Sequence, residues 1–395
     1  MRYTIIFFFI LGIDGLNLFF QTSEISIAYR ETLILYGAIS PLQVLINISM
    51  AVFGQNDFAL RLPMILTHLL SVILFYTISK EYMNDKNRLW SVLIFILLPG
   101  VLSSALLLDE AGLIIFGLLF FVWVYKKGNK PSYYLLLISF AFLDNSFIYL
   151  FLSLSIYSIY KKDNLFFIFN MLAFFISVFS FGVEAHGMPN GHFLDALGVY
   201  AAIFSPIVFV YTVFALYRRY LTKEMDIIWF ISSVTFIVSL VLSFRQNMHI
   251  EHFAPYLIIA IPLATQTFVS SYRVRLRMFR TQYRLVFIIS FILLILNVLI
   301  VIFNKDIYRF MDRPSKHFVY SFHVAKELAE DLKEKSIHCV DTDVKMQKRL
   351  YFYGVTKCDK YNLEKTKKDT KSGNSVTISY RNKPVYFANV TKINN

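Results

Sequence analysis

Between Met1 and Phe303 the chain is a near-continuous series of long apolar segments, and the charged residues between them alternate so as to assign each loop to one side of a membrane. A helix needs roughly 20 apolar residues to cross the hydrocarbon core of a bilayer. On that measure spans are expected near 3–20, 63–83, 88–107, 112–125, 132–143, 145–160, 164–182, 194–217, 226–244, 252–272 and 284–303, about eleven in all. The fifth and sixth are short and broken by Asp144-Asn145, which leaves a re-entrant pair open as the alternative to two crossings. Hydrophobic residues make up 57% of the chain against 16% charged, with 41 Phe and 25 Tyr, more than a water-soluble core of this length requires. The fold class expected is therefore an all-α polytopic membrane protein over residues 1–304.

The basic loops set the orientation. Lys86 and Arg88, Lys126, Lys127 and Lys130, Lys161 and Lys162, Arg218, Arg219 and Lys223, and the run Arg273, Arg275, Arg277, Arg280, Arg284 all fall on one side under this count. That side is cytoplasmic by the positive-inside rule. Arg2 places the N-terminus there too, and an odd number of spans puts everything after Phe303 outside, in the periplasm if the membrane is a bacterial inner membrane. The net charge of +13 then reflects topology and attraction to anionic lipid, not nucleic-acid binding. The first span is followed by no small-x-small cleavage site and is read as a span, not a signal peptide.

The outer side carries the residues suited to chemistry. Its first loop, residues 21–62, contains two apolar stretches too short to cross, Ile25–Tyr36 and Leu42–Phe53, interleaved with Glu24, Arg30, Glu31, Gln43 and Asn47. These are expected as interfacial helices joined across Gly37–Pro41, either packed on the bundle as a lid or roofing a cavity open to the outer leaflet. Glu24 follows the first span directly, and Asp109-Glu110 occupies a tight turn between the third and fourth spans. Carboxylates at a membrane boundary are costly to desolvate and concentrate at functional sites, although Glu110 reads as a solvated turn acid.

Cations stand on the same side: Arg30, Arg61, Arg245, His249 and His252. Acids beside cations suit a reaction in which a phosphate leaves from a lipid carrier, the carboxylate taking a proton from the acceptor and the cation steadying the phosphate. His249-x-Glu251-His252 lacks zincin spacing and has no nameable third ligand, so no metal is assigned, and the two histidines are expected as interface anchors or phosphate contacts. No Gly-rich phosphate loop, nucleophile elbow or zinc cluster is found in the sequence, and no cofactor is expected.

Several stretches carry a family resemblance. Asp14-Gly15 through Glu24, Arg30-Glu31-Thr32-Leu33, Ser40-Pro41-Leu42 and Phe53-Gly54-Gln55-Asn56-Asp57-Phe58-Ala59-Leu60-Arg61 belong to the first loop and its flanks. Leu108-Asp109-Glu110-Ala111 and His252-Phe253-Ala254-Pro255-Tyr256-Leu257 through Pro262 follow. Together they resemble the polyprenyl-phosphate-sugar-dependent membrane glycosyltransferases, which include protein O-mannosyltransferases and the aminoarabinose transferase of lipid A. The resemblance covers about the first 270 residues and implies a GT-C-type fold, a polyprenyl-phosphate-linked sugar as donor, inversion at the sugar and a lipid or glycan acceptor. On that reading Glu24 is the general base or positions the acceptor, Asp109 assists, and Arg61 and Arg245 hold the donor phosphate. Two positions depart from the family pattern: Ser23-Glu24 stands where members carry an Asp-Glu pair, and Ser40-Pro41 where they carry Lys-Pro.

Past Phe303 the composition turns polar. A helix over 321–335, a strand over 336–340, a helix over 344–352, a strand over 357–361, a loop to Asn374 and a hairpin of 376–380 with 385–390 read as a small α/β domain at 305–395. The two cysteines, Cys339 and Cys358, fall in it on adjacent expected strands, and outside the cytoplasm a disulfide is the natural reading. Asp341-Thr342-Asp343 reads as an N-cap for the next helix.

The leading expectation is a transferase acting on lipid A, lipopolysaccharide or another envelope glycan at the outer face of the membrane. The competing one is a non-catalytic membrane subunit that holds a lipid and an envelope protein partner such as a glycosidase. A transporter is the third class, and its signature of paired halves is not recognisable in the sequence.

Overall fold

The computed structural model describes residues 2–182, 191–366 and 375–392. The chain is mostly helical. In order come α1 (Arg2–Glu24), α2 (Tyr29–Leu35), α3 (Pro41–Phe53), α4 (Asp57–Ile78), α5 (Asp85–Leu97), α6 (Pro99–Leu106) and α7 (Glu110–Lys126). Then follow α8 (Lys130–Phe140), α9 (Ile148–Lys161), α10 (Asn164–Phe181), α11 (Phe193–Phe204), α12 (Pro206–Thr222) and α13 (Ile227–Ser243). The last are α14 (Ala254–Ile258), α15 (Ile261–Val274), α16 (Arg277–Ile302), α17 (Asn304–Ile307), α18 (Ala325–Glu334) and α19 (Val344–Phe352). Three strands close the order: β1 (Tyr361–Thr366), β2 (Ser375–Tyr380) and β3 (Lys383–Lys392).

Among the described residues, four helices are long and apolar enough to cross a membrane, and the number rises to seven if each of three bent pairs counts as one span. All eleven apolar segments contain helix, but α8 and α9 are only 11 and 14 residues long, short of a full crossing. The bends have a chemical cause. Proline lacks an N–H and disfavours helical geometry in the residue before it. Leu98, before Pro99, is accordingly extended with ψ 130°, and α5 and α6 meet at 61°. Ser205, before Pro206, has ψ 136° and a positive φ of 69°, and α11 and α12 meet at 104°. Gly100 is required near these bends, because a Cβ there would lie 2.4 Å from the Ile203 side chain.

The chain divides into two compact units. The first comprises Met1–Gly15, Leu66–Ala105 and Asp109–Val298. Its core is aromatic and aliphatic, with Phe75, Phe95, Phe121, Phe151 and Tyr200 buried. Asp14 and His68 are both buried in it and meet at 2.7 Å, the pairing that an ionisable group needs at membrane depth.

The second unit comprises Leu16–Ile65, Leu106–Leu108 and Leu299–Asn395. The polar segment after Phe303 is therefore grouped with the first outer loop, whereas the sequence places a boundary at 304/305. Helix α3 starts at Ser40, whose hydroxyl accepts from the Gln43 N–H at 3.2 Å. It buries Leu42 and Ile46 and leaves Val44, Ile48 and Val52 exposed on another face. The sheet order is β1-β3-β2, antiparallel throughout. Leu363, Val376, Ile378, Val390 and Leu328 form its core.

Local expectations in this segment fare unevenly. Helices α18 and α19 and the β2–β3 hairpin lie where expected. Residues 336–340 form no strand; parallel bridges link Cys339 to Thr356 and Asp341 to Asn362. The strand expected at 357–361 runs instead from Tyr361 to Thr366. Residues 367–374 of the expected loop lie outside the described residues. Cys339 and Cys358 are disulfide-bonded, with Cα atoms 5.4 Å apart. Asp343 caps α19 by accepting from the N–H groups of Lys345 and Met346 at 3.0 and 3.1 Å.

Candidate functional site

Acidic and imidazole groups converge in the first unit where three chain segments end. Asp109 is the N-cap of α7, its carboxylate accepting from the Ala111 N–H at 3.3 Å, and Glu110 is the first helical residue. Asp144 occupies the break between α8 and α9 and caps the short turn there by accepting from the Ser146 N–H at 2.8 Å. His252 ends a single turn of 3-10 helix before α14. The packing of Tyr256 fixes this approach, since its buried hydroxyl donates to the Ser146 carbonyl at 2.6 Å. Ser146 Oγ in turn lies 2.6 Å from His252 Nδ1.

The electrostatics follow from crowding. Glu110 Oε2 stands 3.9 Å from His252 Nδ1. Burial, then the charge and hydrogen bond of Asp144, push the Glu110 carboxyl up to about 8. Burial also raises Asp109, with Glu251 adding to the shift. Two carboxylates in contact cannot both ionise cheaply, so the charge of Asp144 favours the protonated form of Glu110. A group poised in this way can give or take a proton in the physiological range.

The ligand atoms of Glu110, Asp144 and His252 all lie within 4.8 Å of one another, so this trio is the one candidate metal-holding set among the described residues. Hard carboxylate oxygens with one imidazole suit a divalent cation. This trio is not the one considered from sequence: of His249-x-Glu251-His252 only His252 takes part. Next to it opens a cleft of about 240 Å³ whose walls include Asn145, Tyr149, Gln246, His249, His252 and Phe253. Arg245 is exposed on the turn that follows α13.

The remaining expected site residues belong to the second unit. Glu24 is half-exposed and paired with Lys305 at 3.0 Å, and Lys305 also reaches Glu327 at 3.3 Å. Arg30 is exposed at the start of α2. Arg61, expected on a donor phosphate, is fully buried. It lies 3.2 Å from Glu31 and 3.8 Å from Asp57 and donates to the Ser26 carbonyl at 3.2 Å. Glu31 accepts from the N–H groups of Ala28 and Leu108 at 2.9 and 3.0 Å. Asp57 accepts from the Tyr353 hydroxyl at 2.6 Å and pairs with Lys326 at 3.2 Å. This network fixes the loop from within, and the sequence reading, which saw Glu31 as an interfacial polar residue, gave no sign of it.

Sequence reasoning also missed Asp144 and misjudged Glu110. In sequence Asp144 reads only as a break between spans, and Glu110, which reads as a solvated turn acid, is half-buried in a carboxylate pair. An acid interrupting an apolar run was the available signal.

Residues 42–181 match the family model of the dolichyl-phosphate-mannose-protein mannosyltransferases. The resemblance to polyprenyl-phosphate-sugar-dependent glycosyltransferases is thus shown over that stretch, which includes Asp57, Arg61, Asp109, Glu110 and Asp144. No curated protein matches the chain. The family is one of membrane glycosyltransferases of the GT-C kind, consistent with the several apolar helices.

Proposed function

We propose that the protein transfers a sugar from a polyprenyl-phosphate donor to a lipid or glycan acceptor at the outer face of the membrane, lipid A or another envelope glycan being the acceptor class. The reading is carried by the meeting of Glu110 and Asp144, both inside the family-matched segment, with His252. In the reaction the acceptor hydroxyl attacks the anomeric carbon, the bond to the carrier phosphate breaks with inversion, and the hydroxyl proton passes to a carboxylate. Asp109 and the Glu110–Asp144 pair are the acids assigned to this unit. Glu24 remains the candidate base from the first loop. His249, His252 and Arg245, with Arg30, are the candidate cations for the departing phosphate. Arg61 positions the loop.

The second reading, a non-catalytic subunit that keeps the cavity for a lipid, is favoured by one observation. At both departures from the family pattern the residues already have structural employment: Ser40 caps α3 and the Ser23 hydroxyl donates to the Phe20 carbonyl at 2.8 Å, while Glu24 beside it is paired with Lys305.

Mass spectrometry of envelope glycolipids from cells carrying each variant separates the two. On the transferase reading Asp109→Asn and Glu110→Gln each lower the glycosylated product by about 100-fold, with the protein still inserted. Glu24→Gln does the same if Glu24 is the base. A product unchanged in all three variants sinks the transferase reading.

A further inference from the structure

On the side bearing the basic loops, the first unit holds a second site made of two adjoining parts. One is an apolar groove between α16 and the bundle. Helix α16 buries only Leu294, and its rings meet the bundle through Phe287 against Trp90 and through Tyr283 stacked on Phe268 at 4.5 Å. The groove left beside these contacts is lined by apolar side chains of α12, α15 and α16, among them Ile207, Val208, Phe268 and Val286.

The other part is a basic cavity of about 300 Å³ at the C-terminal ends of α12 and α15. Arg218, Arg219, Gln266, Thr267 and Ser270 line it, together with one acid, Glu224. Arg219 is nine-tenths buried and donates to the Glu224 carbonyl at 3.2 Å and to Gln266 Oε1. Its Nε–H has no partner. A recess sharing Gln266 and Ser270 adds Arg273.

The two parts are in register on one helix. Arg218, Arg219 and Thr222 follow Ile207, Val208 and Tyr211 by eleven residues each, which is three turns of α-helix, the same face, and about 16 Å of rise. A lipid whose phosphate sits among the arginines would have its tail at the depth of the groove. Basic pockets between membrane helices on the cytoplasmic side recognise anionic headgroups in this manner.

We propose that this site binds an anionic glycerophospholipid, its phosphate taken by Arg218 and Arg273 with the buried Arg219 charge behind them, and one acyl chain lying between α16 and the bundle. The proposal is independent of the glycosyltransferase reading.

The test is native mass spectrometry of the purified full chain after delipidation and exposure to equal amounts of phosphatidylglycerol and phosphatidylcholine. Phosphatidylglycerol is retained selectively, and the double variant R218Q/R273Q retains it at least tenfold less, in line with roughly fivefold per arginine. Arg219 is left intact because it is buried and held on Gln266 and the Glu224 carbonyl, whereas Arg218, bonded to Ser271 of α15, is partly exposed. Ser290→Phe, which fills the groove from α16, releases the lipid with every arginine in place, and size-exclusion profiles check that both variants stay folded. Equal retention of the two lipids, or unchanged retention in both variants, overturns the proposal. So does displacement by millimolar inorganic phosphate, which would make this a free-anion site, or preferential retention of polyprenyl phosphate over phosphatidylglycerol.

Discussion

Glu110 opens a helix, where the dipole favours a negative charge, yet its carboxyl is pushed up to about 8. Desolvation and the neighbouring Asp144 outweigh the helix terminus because they act at contact distance in a poorly hydrated spot, whereas the dipole contributes under about 1 kcal/mol. A carboxyl raised in this way lends stability below its unfolded pKa and loses it as pH rises toward about 8. Thermal unfolding in detergent should therefore show stability falling from about pH 4.5 to pH 8, by on the order of 2 kcal/mol once solvent screening at a half-open site is allowed for. Glu110→Gln should flatten that slope, and an unchanged slope would rule out the protonated form of Glu110. Arg61 presents another case, a buried cation paired with acids whose Nε and one terminal nitrogen carry no hydrogen bond. Arg61→Met leaves Glu31 buried without its cation, and Asp57 with Lys326 alone, and should destabilise the second unit by about 3 kcal/mol, read as an early transition or as protease sensitivity of the loop.

At the scale of elements, the α5–α6, α11–α12 and α14–α15 pairs illustrate what apolar pattern alone omits. Each reads as one hydrophobic run, and each is bent by more than 40° at a short break. Proline marks the break, but the size of the bend depends on what packs around it, as the contact between Gly100 and Ile203 shows. The polar segment makes the same point in strands. The hairpin of β2 and β3 was legible because its alternation and turn are local. The stretch around Cys339 was not, since two isolated bridges and a disulfide give it order where a ladder was expected. That cross-link joins residues 19 apart, for which loop entropy suggests about 3 kcal/mol. Cys339→Ser with Cys358→Ser should lower the unfolding temperature of the second unit, and the unmodified protein should show no free thiol when denatured without reductant. Two titratable thiols would refute the bond.

For the whole molecule, the orientation rests on the distribution of basic residues, which gives a direct test. A reporter active only outside the cytoplasm should work when fused after Asn395 and fail when inserted at Gly128. The reverse pattern would invert every assignment of outer and inner residues.

The sequence by itself determined the membrane class, the helical segments, the cap at Asp343, and the likeness to membrane glycosyltransferases. These are local properties: apolar run length, periodicity, the chemistry of a cap, a short motif. Only the tertiary structure decided which acids meet. Glu110, Asp144 and His252 lie on three separate segments, and nothing in the spacing between them encodes their approach. It likewise turned Arg61 inward onto Glu31 and Asp57. A buried charge chooses its partners by what the fold brings within a few ångströms, and that choice is made by packing over the whole chain rather than by its neighbours in sequence.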